Sequence, residues 1–344
     1  MCGTFVSVCH LLVGTGWEVR VSYQGTPRVG HASLWRYRLS TQTEVARVTA
    51  PLSASPSKAG PSWLAPGLVM LGIGAALVAV LGPFVAGVID YHASEGAVNQ
   101  IIGGDVAGLV LVAPVSIIAG ILVWRGHRAG PVLALGPAVY GLYMYSQLAL
   151  GNDISRYAGN SERFFFLYVV LFVLAGAIAI ASWRALDVSE LPATTRRLNR
   201  FFGWFVLAVA FFLTVGLHLP GLIDAWADQP TSSEYLADPV VFWLVKFMDL
   251  GLVVPALVAV GVGILGNAAW VDKAKYAVAG WVALLGSSVA GMAIVMQATG
   301  DPAATVGNSV AFSLFAVIGL VVAGLVYRPL FSQTPRHKTE VAPS

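Results

Sequence analysis

Residues 240–265 read VVFWLVKFMDLGLVVPALVAVGVGIL, an apolar run interrupted by two charges, Lys246 and Asp249. About 20 such residues cross the ~30 Å hydrocarbon core of a membrane as one helix. Asp238 and Pro239 precede the run and give a helix-start signal, since aspartate caps free amides and proline suits the first position. Each charge at a helix centre costs about 2.5 to 3.5 kcal/mol on insertion scales. The run therefore predicts a transmembrane helix in which Lys246 and Asp249 need partners that offset the cost of their burial.

The whole chain has the composition of a membrane protein. Of its 344 residues 57% are hydrophobic and 11% are charged, whereas soluble domains carry about 25% charged residues. Its long apolar segments lack the strict alternation that barrel strands require. We therefore predict an all-α, polytopic membrane fold. The two cysteines, Cys2 and Cys9, form neither a disulfide framework nor a thiolate metal cage, and no cofactor is expected.

Eight segments are long enough to span a membrane. They are Leu64–Val88, Val106–Trp124, Gly130–Leu150, Phe164–Trp183, Phe201–Leu219, Val240–Leu265, Tyr276–Gln297 and Val306–Tyr327.

The basic residues predict the orientation of these spans. Alternate connections and the two terminal regions hold most of the 20 lysines and arginines, while the opposite connections contain only Arg156 and Arg163. Cytoplasmic loops are enriched in lysine and arginine. We therefore expect a bacterial plasma-membrane protein with both termini in the cytoplasm.

Three regions follow from composition. Residues 1–62 lack helical periodicity and predict a disordered cytoplasmic segment, with an abrupt change near Val48 that favours a protein start there. Residues 63–330 form the transmembrane domain, and residues 331–344 predict a disordered cytoplasmic tail.

The two halves of the membrane domain, 64–186 and 200–330, echo each other. DVAGLVLVAP at 105–114 matches DLGLVVP at 249–255, and QLALGND at 147–153 matches QATGD at 297–301. Because each half has an even number of spans, the pattern predicts a parallel internal repeat about an axis along the membrane normal.

Polar residues inside the spans predict an outward-opening pocket that binds a small solute or ion. We expect Asp249 to be its protonatable or cation-binding group and Lys246 the charge partner, because positions three apart share a helix face. Five further residues are candidates for its lining: Asp105, Tyr143, Gln147, Gln297 and His218.

Plainer readings of these residues stay open. The two charges can form a structural ion pair, Lys246 can extend to the interface, and Asp105 can cap a helix. The glutamines can bond helices together. The chain would then be a non-transporting membrane partner, a sensor or an assembly factor.

Without a phosphate loop or a nucleophile–base motif an enzyme is less favoured, and no basic surface predicts nucleic-acid binding. The expected partners are the lipid bilayer, a small solute or ion, and a partner membrane protein.

Several stretches carry a resemblance. GGDVAGLVLVAP, RGHRAGPVLALGPAVYGLYMYSQLALG, RFFFLYVVLFVLA and KFMDLGLVVPALVAVGVGIL resemble an uncharacterised group of multi-pass membrane proteins from high-GC bacteria. The resemblance covers roughly residues 64–330. The group has no established activity, so the resemblance implies location and architecture and transfers no functional residue.

Overall fold

The computed structural model describes residues 60–192 and 194–332, which form helices and turns with no strand among them. The predictions for residues 1–59 and 333–344 lie outside this part of the chain. Eight long helices are α1 (Leu64–Leu81), α2 (Glu95–Trp124), α3 (Ala129–Leu150), α4 (Ser161–Ala185), α5 (Arg196–Ala225), α6 (Pro239–Leu265), α7 (Val271–Thr299) and α8 (Val306–Ser332). A short helix, Ser233–Ala237, precedes α6.

Seven of these helices are long and apolar enough to cross a membrane, which confirms the predicted all-α polytopic architecture. The remaining one, α3, has 22 residues but carries Pro137, Gln147 and several tyrosines. It packs against α2, α4 and α7, so its polar side chains meet other helices. Its central place removes the need for an apolar surface all round, which is consistent with its lacking an 18-residue stretch as apolar as those of the other seven.

Helices that follow one another in sequence pack in pairs around a central crossing. The pairs are α1 with α2, α3 with α4, α5 with α6 and α7 with α8, and α3 crosses α7 between them. Gly136 and Gly280 make this crossing close, since a Cβ built on Gly136 would lie 3.0 Å from the Gly280 Cα. Small residues allow such backbone approach in membrane helices.

The connecting segments gather at two ends of the bundle. At the first, which we call the acidic end, the segments 82–94, 151–160, 226–238 and 300–305 are tied by bonds such as Asp153 N–H to His92 O, 2.8 Å. At the other, the basic end, Arg128 contacts the Leu330 carbonyl and Lys273 donates to the Trp183 carbonyl at 3.3 Å. The charge asymmetry in the sequence therefore coincides with a physical division of the fold.

Several helix boundaries differ from the prediction. The first helix ends at Leu81 instead of Val88. Gly82, the next residue, is extended, and Pro83 follows it. The second begins at Glu95, with Ser94 Oγ accepting from the Ala97 N–H at 3.3 Å. Asp105 is therefore deep within α2, and its proposed capping of that helix is wrong.

Asp238 also acts differently from the prediction. It occupies the position before α6 and Pro239 is the first residue of the helix, but its side chain caps no amide of α6. Both carboxylate oxygens instead accept from the backbone N–H of Ser94, each at 3.1 Å. Since Asp238 is buried, this contact fastens the start of α6 to the start of α2 at the acidic end.

Three helices contain a wider π-helical turn before a proline. The turns are Gly108–Val112 in α2, Phe212–His218 in α5 and Asp249–Val253 in α6. In each case proline is the second residue after the turn: Pro114, Pro220 and Pro255. Proline lacks an N–H and clashes with the carbonyl four residues earlier. A widened turn relieves that clash, and such turns occur frequently at functional sites.

Candidate functional site

Three buried side chains from three helices form one hydrogen-bonded cluster. The Tyr143 hydroxyl of α3 donates to Asp249 Oδ1 at 2.7 Å, and His218 Nε2 of α5 lies 2.8 Å from Asp249 Oδ2. His218 is 2% exposed and Asp249 is 5% exposed. A buried carboxylate is tolerated where donors satisfy it. We call these three residues the carboxylate cluster.

Two π-helical turns bring this cluster together. Asp249 is the first residue of the turn in α6, and His218 is the last residue of the turn in α5. The two turns touch each other. Because Pro220 and Pro255 follow the turns, the sequence itself sets where the helices widen. The local chain chemistry thus positions both partners of the central hydrogen bond.

Lys246 does not pair with Asp249, and this part of the prediction is wrong. Its ammonium lies 3.6 Å from Glu234 Oε2 of the short helix and 3.6 Å from the centre of the Phe242 ring. The long side chain extends toward the acidic end, where Glu234 is half exposed. Lys246 itself is buried, and its flexible side chain brings the ammonium to the charge of Glu234. Asp249 lies one turn deeper, and its hydrogen-bond partners are His218 and Tyr143.

The second ring nitrogen of His218 has no such partner. Nδ1 is buried and makes no hydrogen bond with any residue that the structure describes. An ionised carboxylate accepts only, so Nε2 carries the proton that faces Asp249. Most buried polar atoms are bonded. The unbonded Nδ1 is then an acceptor, and a further group that donates a hydrogen bond to it would complete the cluster.

A cavity of about 350 Å³ adjoins the carboxylate cluster. It lies among α5, α6, α7 and α8, and Tyr143, His218 and Asp249 all line it. Most of its remaining wall is apolar, including Phe212, Trp281 and other large side chains. Ligand sites typically occupy about 300 to 1,000 Å³ and combine apolar walls with a few placed polar groups. This space, which we call the large cavity, has that character.

The large cavity reaches the acidic end of the bundle. Glu234 and Lys246 line it beside α6, and Thr305 and Asn308 line it where α8 begins. Its polar groups thus lie on one side and near one end. Five of the predicted site residues line this cavity, but its walls are more apolar than the polar pocket we expected.

The structure separates two of the predicted lining residues from the cluster. Gln147 lines the large cavity. Gln297, by contrast, is exposed near the end of α7 and does not line it. Asp105 lines a second cavity of about 110 Å³ between α1, α2, α3 and α6. Of the seven predicted site residues, Tyr143, Gln147, His218, Lys246 and Asp249 therefore line one cavity.

Sequence reasoning missed Glu234 and Trp281. Glu234 stands in a connection, and nothing in its spacing links it to Lys246. Trp281 packs edge-on against Tyr143 with ring centres 6.0 Å apart and orients that ring.

The proline two residues after each π turn was a usable signal for the widened turns, because His218 and Asp249 both precede such a proline.

In the described ranges, no three or more histidine, cysteine, aspartate or glutamate side chains are grouped so that they could hold a metal ion. Comparison of the chain with models of protein families, with curated proteins and with solved structures finds no match. The site is therefore interpreted from its own geometry.

Proposed function

We propose that this integral membrane protein binds a small solute in the large cavity, as a transporter or a solute-binding protein of the membrane. The observation that carries the proposal is the buried carboxylate cluster in the wall of a cavity of ligand size. Ionisable groups inside membrane segments are rare, and they commonly mark substrate or ion pathways.

The chemistry of the wall indicates the kind of solute. A carboxylate has about four acceptor positions, and Asp249 uses two of them for His218 and Tyr143. It can therefore accept further hydrogen bonds from a ligand. The apolar walls favour a solute that is largely apolar. We infer a small solute with an apolar body and one group that donates hydrogen bonds, such as a hydroxyl or an ammonium.

The membrane arrangement extends this proposal. We propose eight spans, with α3 as the eighth, in the plasma membrane of a high-GC bacterium. The positive-inside rule would place the basic end and both termini in the cytoplasm. The large cavity would then open to the outside, where an acidic surface raises the local concentration of cations.

An internal duplication is also part of the proposal. Its support is the matched pairing of α1 with α2 and α5 with α6, and of α3 with α4 and α7 with α8. The π turns at Gly108–Val112 and Asp249–Val253 fall within the two echoing stretches and precede corresponding prolines. Parallel-repeat transporters place binding sites between such halves.

A thermal-shift screen of small solutes on the detergent-purified protein tests the function, because a ligand of the folded state raises the unfolding midpoint. Tyr143→Phe removes the hydroxyl that contacts Asp249. Tyr140→Phe is a matched control on the same helix, since its hydroxyl lies 2.8 Å from Ser288 Oγ instead. We expect solutes whose effect is lost in the first variant and kept in the second. A broad screen with no stabilising solute, or equal loss in both variants, would overturn the proposal.

A further inference from the structure

Asp105 of α2 is a buried carboxylate without a partner. It is 7% exposed, and neither of its oxygens forms a hydrogen bond that the structure records among the described residues. Oδ2 is fully enclosed and faces Gly82, where an added Cβ would lie 2.5 Å away. This contrasts with Asp249, which two donors satisfy. An unsatisfied buried charge costs far more than a bonded one.

The second cavity, of about 110 Å³, offers Asp105 no positive charge. Its described lining includes no lysine, arginine or histidine. It does include oxygen donors: the tyrosines Tyr91, Tyr140 and Tyr145 and the amides Gln100 and Gln147. We call this space the Asp105 cavity. A positive charge that balances the carboxylate therefore has to enter from outside this lining, either as a cation or as a proton.

Charge and size limit what can enter. One carboxylate balances one positive charge, and a divalent ion would keep an uncompensated charge in an apolar enclosure. A water molecule occupies about 30 Å³, so the cavity holds an ion with a few waters. Carboxylate, amide and hydroxyl oxygens suit hard cations, while tyrosine rings attract a small ammonium through their faces. A proton is the competing occupant, because the tyrosine and amide oxygens of the lining can accept a hydrogen bond from a protonated carboxyl. Dependence of stability on the cation at fixed pH distinguishes the two.

We propose that the Asp105 cavity binds a small monovalent cation, with Asp105 as its charged ligand. Asp105 is not part of the carboxylate cluster, although Gln100 and Gln147 line both cavities. The proposal does not depend on solute binding in the large cavity. The sodium ion and methylammonium share the chemistry that the cavity would recognise, and the experiment distinguishes them.

The test measures thermal unfolding of the full chain in detergent with sodium, potassium, methylammonium or N-methylglucamine chloride at equal ionic strength. N-methylglucamine is too large for the cavity and serves as the reference. We expect a saturable rise of about 2 to 3 °C with at least one small cation, which is what roughly a tenfold excess over the dissociation constant gives for a domain of about 270 residues. The cation that acts identifies an inorganic or an organic ammonium ligand.

Two isosteric variants locate the effect. Asp105→Asn should abolish the rise, and Asp249→Asn, which removes the charge of the other cavity, should keep it. If Asp105→Asn does not fold, the comparison of wild type with Asp249→Asn still tests the proposal. Loss of the cation-dependent rise in Asp249→Asn would assign the cation to the large cavity and overturn the proposal. Equal midpoints in all four salts, a rise that persists in Asp105→Asn, or a midpoint that follows pH alone would overturn the proposal.

Discussion

Asp249 of α6 and His218 of α5 are joined by a 2.8 Å hydrogen bond across 31 residues of sequence. Both belong to π-helical turns that a proline follows. The bond therefore connects two widened turns inside the second half of the protein, at the wall of the large cavity. This arrangement gives the buried carboxylate a structural partner and leaves it able to bind a ligand.

Removing His218 should destabilise the protein through Asp249. His218→Leu leaves Oδ2 of Asp249 buried without its donor, and an unsatisfied buried group costs about 1 to 3 kcal/mol. Chemical unfolding in detergent measures this. The double variant His218→Leu with Asp249→Leu should cost less than the sum of the single changes, because both members of the pair are then apolar. Strict additivity would show that the two side chains do not depend on each other.

Lys246 should matter little for stability. Although Lys246 is buried, its partner Glu234 is half exposed. Solvent therefore screens the pair, and we expect it to contribute about 1 kcal/mol or less. Lys246→Met keeps the side-chain packing on Phe242, so its free energy of unfolding should stay within about 1 kcal/mol of wild type. Glu234→Gln is the matched change on the partner. A loss of unfolding free energy that is much larger in Lys246→Met than in Glu234→Gln would mean that the ammonium also stabilises the Asp249 carboxylate.

The close contact between α2 and α7 should not tolerate a side chain at Gly103. A Cβ there would meet the backbone of Gly291 and Met292, and forced overpacking costs about 1 to 3 kcal/mol. Gly103→Ala should therefore lower the unfolding midpoint. Gly324→Ala in α8 is the control, since no atom lies within 4 Å of its added Cβ. There alanine should be neutral or stabilising, and equal losses at both positions would contradict the close packing.

The acidic end should lose stability as the pH rises. His92 Nδ1 lies 2.7 Å from the Tyr157 carbonyl and Nε2 lies 2.6 Å from Glu162 Oε2. Bonds to that carbonyl and then to Glu162 raise the pKa of His92 above its usual range. The protonated form is thus favoured in the folded state. Its contribution is complete below the unfolded pKa of about 6.5 and is lost as pH rises through the folded pKa.

Unfolding midpoints measured across this pH range check that expectation. His92→Gln should remove the decline that begins near the unfolded pKa, whereas His127→Gln at the basic end should leave it in place. A wild-type profile that rises over the same range would give the opposite sign and contradict the argument.

Much of the fold follows from local sequence, and the failures have physical causes. Apolar length identified the helices, because hydrocarbon demands internally bonded backbone. The end of α1 was misplaced because the apolar residues continue past Pro83 into a turn. The pairing of Lys246 was misjudged because its side chain bends to Glu234 in a neighbouring connection, and such long-range partners leave no periodic signal.

The site was predictable in part for the same reason. Buried charge and polarity in apolar spans singled out Asp249, His218 and Tyr143, which the structure brings together. The same criterion grouped Asp105 with them, although Asp105 lines another cavity, between α1, α2, α3 and α6. Which polar residues share a cavity depends on how the helices rotate and cross, and the sequence pattern does not fix that.

The affinity of a stabilising solute for isosteric variants tests the central claim most directly. Calorimetric titration should give a dissociation constant about 10 to 150 times higher in Asp249→Asn, since hydrogen bonds to a charged group contribute about 1.5 to 3 kcal/mol. Asp105→Asn, which changes a carboxylate that does not line the large cavity, should bind within about twofold of wild type. Equal affinity of Asp249→Asn and wild type, or an equal loss in both variants, would contradict binding at the carboxylate cluster.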